Sequence, residues 1–170
     1  MHIAVIARVL GMLLMIFSLT MLTPIIVSSI YEENTSSMFV LAFAITLLIG
    51  LTFWLPTKNH RGELRTRDGF VVTVFFWLVL SGFGSLPLML SEATNLTFID
   101  ALFESVSGLT TTGATVLSGL DDLPKSILYY RQQLQWLGGI GIVVIAVAIL
   151  PMLGVGGMQI YRAETPGPVK

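Results

Sequence analysis

The sequence contains no cysteine, only two histidines and few charged residues. Without cysteine, the chain can form no disulfide, no thiolate metal site and no thiol nucleophile. His2 and His60 both lie outside the apolar stretches, which excludes a histidine-ligated metal centre inside a membrane. Charged residues make up 11% of the chain, against ~25% in soluble domains, and 54% of the residues are hydrophobic. These proportions are typical of a membrane protein.

The sequence also contains long stretches without any charged residue. There are four of them, at residues 9–31, 34–57, 69–91 and 132–161. Each can supply the ~20 apolar residues that a spanning helix needs. We predict four spans, as helices over residues 3–30, 38–55, 69–90 and 127–153. Pro24 predicts a bend near the outer end of the first span. That span is too long for a signal peptide and has no cleavage pattern, so we interpret it as retained.

Lysine and arginine predict the orientation of these spans, because both residues are enriched in cytoplasmic loops. With a cytoplasmic amino terminus, seven of the nine basic residues fall on the inner side: Arg8, Lys58, Arg61, Arg65, Arg67, Arg162 and Lys170. Lys125 and Arg131 fall outside. We therefore predict that both ends of the chain are cytoplasmic. The basic residues between positions 58 and 67 chiefly set this topology, and the alternative is that they bind anionic lipid or a regulatory partner.

One stretch between two predicted spans, residues 98–117, is too polar to cross the bilayer. Asp100 and Glu104 would both lie in hydrocarbon, where a mid-helix charge costs ~2.5–3.5 kcal/mol on insertion scales. Apolar residues recur here at helical spacing, at Phe98, Ile99, Leu102, Phe103, Val106 and Leu109. Thr97 and Asp100 form a capping-box start, so we predict a helix of about twelve residues. At ~1.5 Å per residue this helix is about 18 Å long, and it ends inside a ~30 Å hydrocarbon core.

A loop rich in threonine and glycine follows, and we predict that it returns to the outer side as extended backbone. The carboxyl end of a helix carries a partial charge of about −0.5, which favours a nearby cation. Gly113 permits backbone angles that other residues avoid, so successive carbonyls can face the same side. The pattern predicts a pore loop that replaces the water around a cation. The alternative is an amphipathic helix on the membrane surface, followed by a polar loop.

Three longer motifs carry a resemblance to a known family. They are Phe-Glu-Ser-Val-Ser-Gly-Leu-Thr-Thr-Thr-Gly-Ala-Thr at 103–115, Tyr-Arg-Gln-Gln-Leu-Gln-Trp-Leu-Gly-Gly-Ile-Gly at 130–141, and the segment 149–168. With these motifs the whole chain resembles the amino-terminal part of the Trk-type bacterial potassium uptake proteins, TrkH and TrkG. The fold class expected is an all-α membrane protein. Residues 1–68 are expected to form two leading transmembrane helices and a basic cytoplasmic loop. Residues 69–170 are expected to form one helix–pore loop–helix unit of the potassium-channel type and a cytoplasmic tail.

The resemblance implies potassium uptake across the bacterial inner membrane. It implies that Thr111 and Thr112 offer carbonyl oxygens to potassium, and that Thr110 and Gly113 complete the filter turn. A filter ring needs about four loops, so we expect this chain to supply one quarter of the ring within a longer protein. The alternative function is a structural or assembly subunit without an ion pathway. An enzyme is not expected, because the spans hold no cysteine or histidine and no nucleophile is identifiable.

The same resemblance implies what the chain binds. The transported ion is potassium and no organic cofactor is expected. The partners expected are membrane lipid, the remaining pore repeats of the full-length chain, the cytosolic nucleotide-binding regulatory subunit TrkA, and a second full-length copy in a homodimer. Nucleic acid is not expected.

Several other residues allow two interpretations. Arg131 either pairs with Glu104 or Asp100 and holds the predicted pore helix, or anchors in the headgroups; we favour the anchor. Small residues flatten two helices and permit close packing, at Ser81, Gly82, Gly84 and Ser85, and at Gly138, Gly139 and Gly141. For the second group, packing between helices is favoured over an approach by the filter backbone. Gly154, Gly156 and Gly157 predict a flexible helix end, since the lysine of a phosphate-binding loop is absent.

Overall fold

The computed structural model describes residues 3–59 and 66–149, and within them the chain is helical with no strand. The helices are α1 (Ile3–Thr20), α2 (Thr23–Ile30), α3 (Ser36–Trp54), α4 (Thr66–Gly84), α5 (Leu86–Leu90), α6 (Phe98–Leu109) and α7 (Lys125–Ile149). A short 3₁₀ turn, Leu120–Asp122, precedes α7. The predicted all-α membrane fold, with two leading helices and one helix–pore loop–helix unit, is confirmed. The division into two parts at residue 68 stays a prediction.

Three segments in the described part are long and apolar enough to cross a membrane: Ile3–Ile30, Ser36–Trp54 and Asp68–Leu90. They match three of the four predicted spans. The fourth span corresponds to α7, whose last described residue is Ile149. Residues 150–153 of that span, the glycines at 154–157 and the basic residues Arg162 and Lys170 lie outside the described residues. So do His2, His60, Arg61 and Arg65.

The predicted bend at Pro24 is a break between α1 and α2. Proline has no N–H, and its ring prevents the helical hydrogen bond to the carbonyl four residues earlier, which belongs to Thr20. That carbonyl instead accepts from the Thr23 hydroxyl at 2.8 Å and from the side-chain amide of Gln133 at 2.9 Å. The carbonyl that Pro24 releases is therefore paired, and the bond from Gln133 ties the first span to α7.

The long helix predicted over residues 69–90 is divided in two, which corrects that prediction. Helix α4 ends at Gly84 and α5 begins at Leu86, with Pro87 in its first turn. The physical reason is the same as at Pro24, because a proline ring clashes with the carbonyl four positions earlier in a continuous helix. A single apolar stretch therefore contains two helical pieces.

Glycines let α1 and α3 cross at backbone contact. A side-chain Cβ added at Gly11 would lie 2.8 Å from the carbonyl oxygen of Gly50 and 2.9 Å from the Trp54 nitrogen. One added at Gly50 would lie 3.0 Å from the Gly11 oxygen. Membrane helices associate closely where both carry small residues. The crossing also places the start of α1 beside the end of α3, as a helical hairpin requires.

A shared core joins this hairpin to the later helices. Tyr130 of α7 is fully buried and meets Phe39 of α3 edge to face, with ring centroids 5.5 Å apart. Its hydroxyl donates to the Gly84 carbonyl at 2.8 Å, which satisfies the buried polar end of the ring. The leading helices therefore brace the helix that follows the predicted pore loop.

Candidate functional site: a re-entrant helix and its return strand

The predicted short helix is α6, Phe98–Leu109, with the length expected from its pattern. Thr97 caps its start: the hydroxyl oxygen accepts from the Asp100 N–H at 3.3 Å, and the hydroxyl donates to the Asp100 carboxylate at 2.6 Å. The predicted start at Thr97 is confirmed, but the Asp100 carboxylate accepts from the Thr97 hydroxyl and not from the Thr97 N–H, so only the Thr97 half of the capping box is present. The buried side of the helix is small and polar, whereas Phe98 and Ile99 on its apolar side are 56% and 75% exposed in this chain.

Helix α6 enters and returns at the same end of the molecule, so it does not span. Its carboxyl end packs against α7 at Gly138, 13 residues after the start of α7 at Lys125. At ~1.5 Å per residue, that contact lies about 20 Å below the start of α7. The chain then runs back through residues 112–119 to the start of α7. The prediction that the segment goes in and comes back is confirmed.

Close backbone packing fixes the depth of the α6 end. A Cβ added at Gly138 would collide with the backbone carbon and oxygen of Leu109, the last residue of α6. At Gly108 an added Cβ would lie 3.0 Å from the Leu134 Cβ. For Gly138, Gly139 and Gly141, packing between helices was the favoured interpretation, and at Gly138 the structure shows such packing. Its neighbour in that contact is the final turn of the re-entrant helix. Around Gly139 an added Cβ would meet nothing within 4 Å.

The chain leaves α6 through a compact turn. The Thr112 N–H donates to the Ser107 carbonyl and the Thr111 N–H to the Gly108 carbonyl, both at 2.9 Å. This pair of bonds is a Schellman motif, which requires a left-handed residue at the position of Thr111. Its φ is +56°, an unusual angle for a β-branched residue that costs about 1–2 kcal/mol. Gly113 follows with φ +75°. Strain of this kind is held in place at functional sites.

The carbonyl groups of this turn are free to bind something else. Within the described part of the chain, no hydrogen bond ends on a carbonyl oxygen of residues 110–113. The hydroxyl groups are used locally: Thr110 donates to the Val106 carbonyl at 2.7 Å, and the Thr110 and Thr112 hydroxyl oxygens are 2.8 Å apart. The turn therefore keeps its backbone acceptors available, which a carbonyl-lined cation site needs. The assignment of residues 110–113 as ion ligands stays a prediction.

Residues 114–119 follow the turn without helix or sheet pairing and are here called the return strand; Glu104 fixes them from inside the protein. Its residue is 3% exposed, and its Oε1 accepts from the Val116 N–H at 2.7 Å and from the Thr115 hydroxyl at 2.5 Å. A further bond runs from the Ser107 hydroxyl to the Ala114 carbonyl at 2.6 Å. Side chains of α6 therefore hold three consecutive residues of the strand that follows the turn.

Arg131 of α7 forms an ion pair with the other oxygen of Glu104. Its Nε and Nη2 both lie 3.0 Å from Glu104 Oε2, and its side chain is 14% exposed. The favoured interpretation of Arg131 as an anchor in the headgroups was wrong. The physical reason is that Glu104 is buried, and a buried carboxylate is strongly destabilising unless a charge such as the Arg131 guanidinium pairs with it. The other interpretation, in which Arg131 pairs with Glu104 and holds the helix, is the one observed.

Sequence reasoning missed a second carboxylate, Glu33, in the turn between α2 and α3. Its Oε1 accepts from the Lys125 N–H at 2.5 Å, and its Oε2 accepts from the Ser126 N–H at 3.1 Å and hydroxyl at 2.6 Å. Burial raises the pKa of the Glu33 carboxyl, but these hydrogen bonds and the Lys125 charge outweigh it and hold that pKa below its usual value. The one local indication of this contact in the sequence is Pro124. It directly precedes α7 and has no polar side chain that could cap the helix, so a cap must come from elsewhere.

These features define a class: an all-helical membrane protein with a re-entrant helix and extended return loop between two long helices. Comparison with known proteins gives the family. The TrkH family, described as cation transport proteins, matches residues 35–170. This chain belongs to the TrkH family.

Individual relatives agree with that membership. The Trk system potassium uptake protein TrkH of Halomonas elongata is 60% identical over 170 residues, which is 100% of this chain and 35% of that protein. TrkH of Escherichia coli K12 is 55% identical over the same length. The crystal structure of the potassium transporter TrkH from Vibrio parahaemolyticus superposes with a TM-score of 0.88 and 50% identity, over 98% of this chain and 34% of that one. The chain thus spans about a third of the length of these relatives.

Proposed function

We propose that this chain supplies one pore-loop unit of a potassium uptake protein, and that the backbone carbonyls of residues 110–113 form one quarter of its selectivity filter. The observation that carries the proposal is the turn after α6. It combines a left-handed Thr111, a left-handed Gly113 and backbone acceptors that no hydrogen bond occupies in the described part of the chain. The names of the relatives, potassium uptake proteins, support the choice of ion.

In this function the protein replaces the water shell of the ion. Carbonyl oxygens of the turn take the place of water oxygens, so potassium enters without losing all of its coordination energy. The carboxyl end of α6 adds its partial negative charge at about the depth where the helix stops. Three equivalent loops elsewhere in the full-length protein complete the ring.

Gly113 provides the direct test in the full-length protein. A Gly113→Ala substitution introduces no clash, because an added Cβ meets nothing within 4 Å, but it strains a backbone with φ +75°. We expect it to abolish potassium uptake or to admit sodium. Gly119→Ala is the matched control, since it places alanine at φ +65° outside the proposed filter. Unchanged uptake and selectivity in Gly113→Ala, at equal membrane level, would contradict the proposal.

The alternative, an assembly subunit without an ion pathway, makes a different prediction for accessibility. These 170 residues contain no cysteine, so a Thr112→Cys variant carries a single reactive group within them. In a pore, external thiol reagents label position 112 and potassium protects it. In an assembly loop, labelling does not depend on potassium.

Location and partners follow from the same proposal. We infer a multi-pass transporter of the bacterial inner membrane, not an enzyme, with both ends of the chain cytoplasmic. Arg8 and Lys58 support that orientation, because the crossing of α1 and α3 brings them to the end opposite Glu33 and Lys125. The family resemblance supports three partners: TrkA on the cytoplasmic side, the remaining pore repeats, and a second copy of the full-length protein.

A further inference from the structure

The two oxygens of the Glu104 carboxylate bind two different parts of the molecule. Among the residues that the structure describes, Oε1 accepts from the return strand alone, at the Thr115 hydroxyl and the Val116 N–H. Over the same residues, Oε2 accepts from Arg131 on α7 alone. The carboxylate is therefore a bridge between the loop and the long helix behind it.

Burying such an ion pair inside a protein costs free energy. A buried carboxylate and guanidinium lose several kcal/mol of hydration, which their attraction offsets only when all polar atoms are paired. For packing alone, apolar side chains of similar volume would serve as well or better. What an ion pair adds is fixed geometry, because charge-assisted hydrogen bonds are short and directional.

The return strand depends on this geometry, since residues 110–116 are all exposed in this chain. Within the described part of this chain, apolar packing does not fix their position. Their side-chain attachments to α6 are the Ser107 bond to Ala114, the Glu104 bonds to Thr115 and Val116, and the Thr110 bond to Val106. The bonds to Ala114, Thr115 and Val116 lie directly after the turn at residues 110–113.

We propose that Glu104 and Arg131 are positioning residues for ion selectivity: they hold the return strand at the distance from α7 that sets the spacing of the filter carbonyls. This inference rests on the proposed function. Neither side chain touches the ion. Arg131 fixes the carboxylate against α7, and the carboxylate fixes Thr115 and Val116, so a change in the pair moves the carbonyls next to them.

The sharpest variant is Thr115→Val in the full-length protein. Valine keeps the shape of threonine and leaves the ion pair intact, but it removes the hydroxyl that donates to Glu104. That hydroxyl also accepts from the Leu117 N–H, an exposed bond that water can replace. We expect the preference for potassium over sodium to fall about tenfold, the factor that corresponds to one hydrogen bond of ~1.4 kcal/mol. Thr115→Ser restores the hydroxyl and should restore the preference.

Glu104→Gln provides the second variant. Glutamine keeps an acceptor for the strand but removes the charge that pairs with Arg131, so potassium preference and the potassium concentration for half-maximal uptake should both change. Asp100→Asn is the matched control, because it neutralises a carboxylate one turn earlier that bonds Thr97 and not the loop. It should leave both quantities unchanged.

The measurement is uptake of potassium, rubidium and sodium at equal membrane level for each variant. Altered selectivity or potassium affinity in Thr115→Val, rescued by serine, supports the positioning role. Wild-type selectivity and affinity in Thr115→Val overturn it, even if Glu104→Gln fails to reach the membrane. If Gly113→Ala also transports normally, the proposed function fails; if it does not, only the positioning role is wrong.

Discussion

Helix α7 is held at two levels, and both levels use a carboxylate from elsewhere in the chain. At its start, Glu33 of the leading hairpin accepts two backbone N–H groups and the Ser126 hydroxyl. About one-quarter of the way along, Glu104 of α6 meets Arg131. The outer carboxylate satisfies groups that any helix start leaves unpaired. The inner carboxylate, Glu104, pairs with the positive charge of Arg131 on α7, and it also accepts hydrogen bonds from the return strand.

The two levels therefore differ in which groups lose their partner when the carboxylate is removed. Without Glu33, the exposed Lys125 N–H can turn to water, and the hydroxyl of the buried Ser126 keeps its 2.7 Å contact with the Thr35 hydroxyl. Without Glu104, Arg131 is left with its charge unpaired at 14% exposure. We expect the inner level to be far more sensitive to substitution than the outer one.

The largest effect is predicted for Glu104→Ala. It removes one partner of a buried ion pair and should cost about 3–5 kcal/mol of folding free energy. Thermal unfolding of the purified full-length protein measures the change. In a Glu104→Gln, Arg131→Gln double variant both charges are gone, so part of the loss should be recovered. A double variant less stable than the sum of both single changes would contradict the ion-pair account.

Gly138→Ala tests the packing at the inner level. The added methyl collides with the Leu109 backbone, which is not a flexible neighbour, so we expect a loss of about 3 kcal/mol. Gly139→Ala is the adjacent control in the same helix, and its methyl meets nothing within 4 Å. Equal melting temperatures for the two variants would show that α6 and α7 do not approach as described.

At the outer level, Glu33→Ala should cost only about 1 kcal/mol, the usual value for loss of a helix cap. Its effect belongs to the amino end of α7, so hydrogen exchange there should speed up while α6 stays protected. Loss of protection across α6 as well would mean that the two levels are not independent.

The smallest effect concerns pH. The pKa of Glu33 is lower in the folded protein than its ordinary value of 4.5, so its contribution is complete above that value. It is lost as the pH falls through the folded pKa, because the unfolded chain then binds the proton first. As the pH falls from about 6 to below 4.5, the melting temperature should therefore fall more in the wild type than in Glu33→Gln. Parallel curves would contradict the cap.

Local signals in the sequence were sufficient for much of the fold. Thr97, Asp100 and the apolar spacing predicted the start of α6 and its length of about twelve residues, and Pro24 predicted a bend where the first span is broken. Each of these signals acts within a few residues, so no tertiary information is needed. Pro87 carried the same signal for α4 and α5, but the continuous apolar stretch around it favoured one helix.

The site itself depended on contacts that sequence patterns do not encode. Glu104 and Arg131 are 27 positions apart, and Glu33 and Ser126 are 93 apart. Arg131 follows a polar loop at the edge of an apolar stretch, where an arginine ordinarily reaches the headgroups. Only the return of the chain from α6 brings a buried carboxylate to it.

The most direct test of the account is crystallography of the full-length protein with rubidium in place of potassium, recorded at the rubidium absorption edge. The account predicts an anomalous peak in contact with backbone carbonyl oxygens of Thr111 and Thr112. Bound rubidium on a transport pathway elsewhere in the protein, with none at this turn, would contradict it.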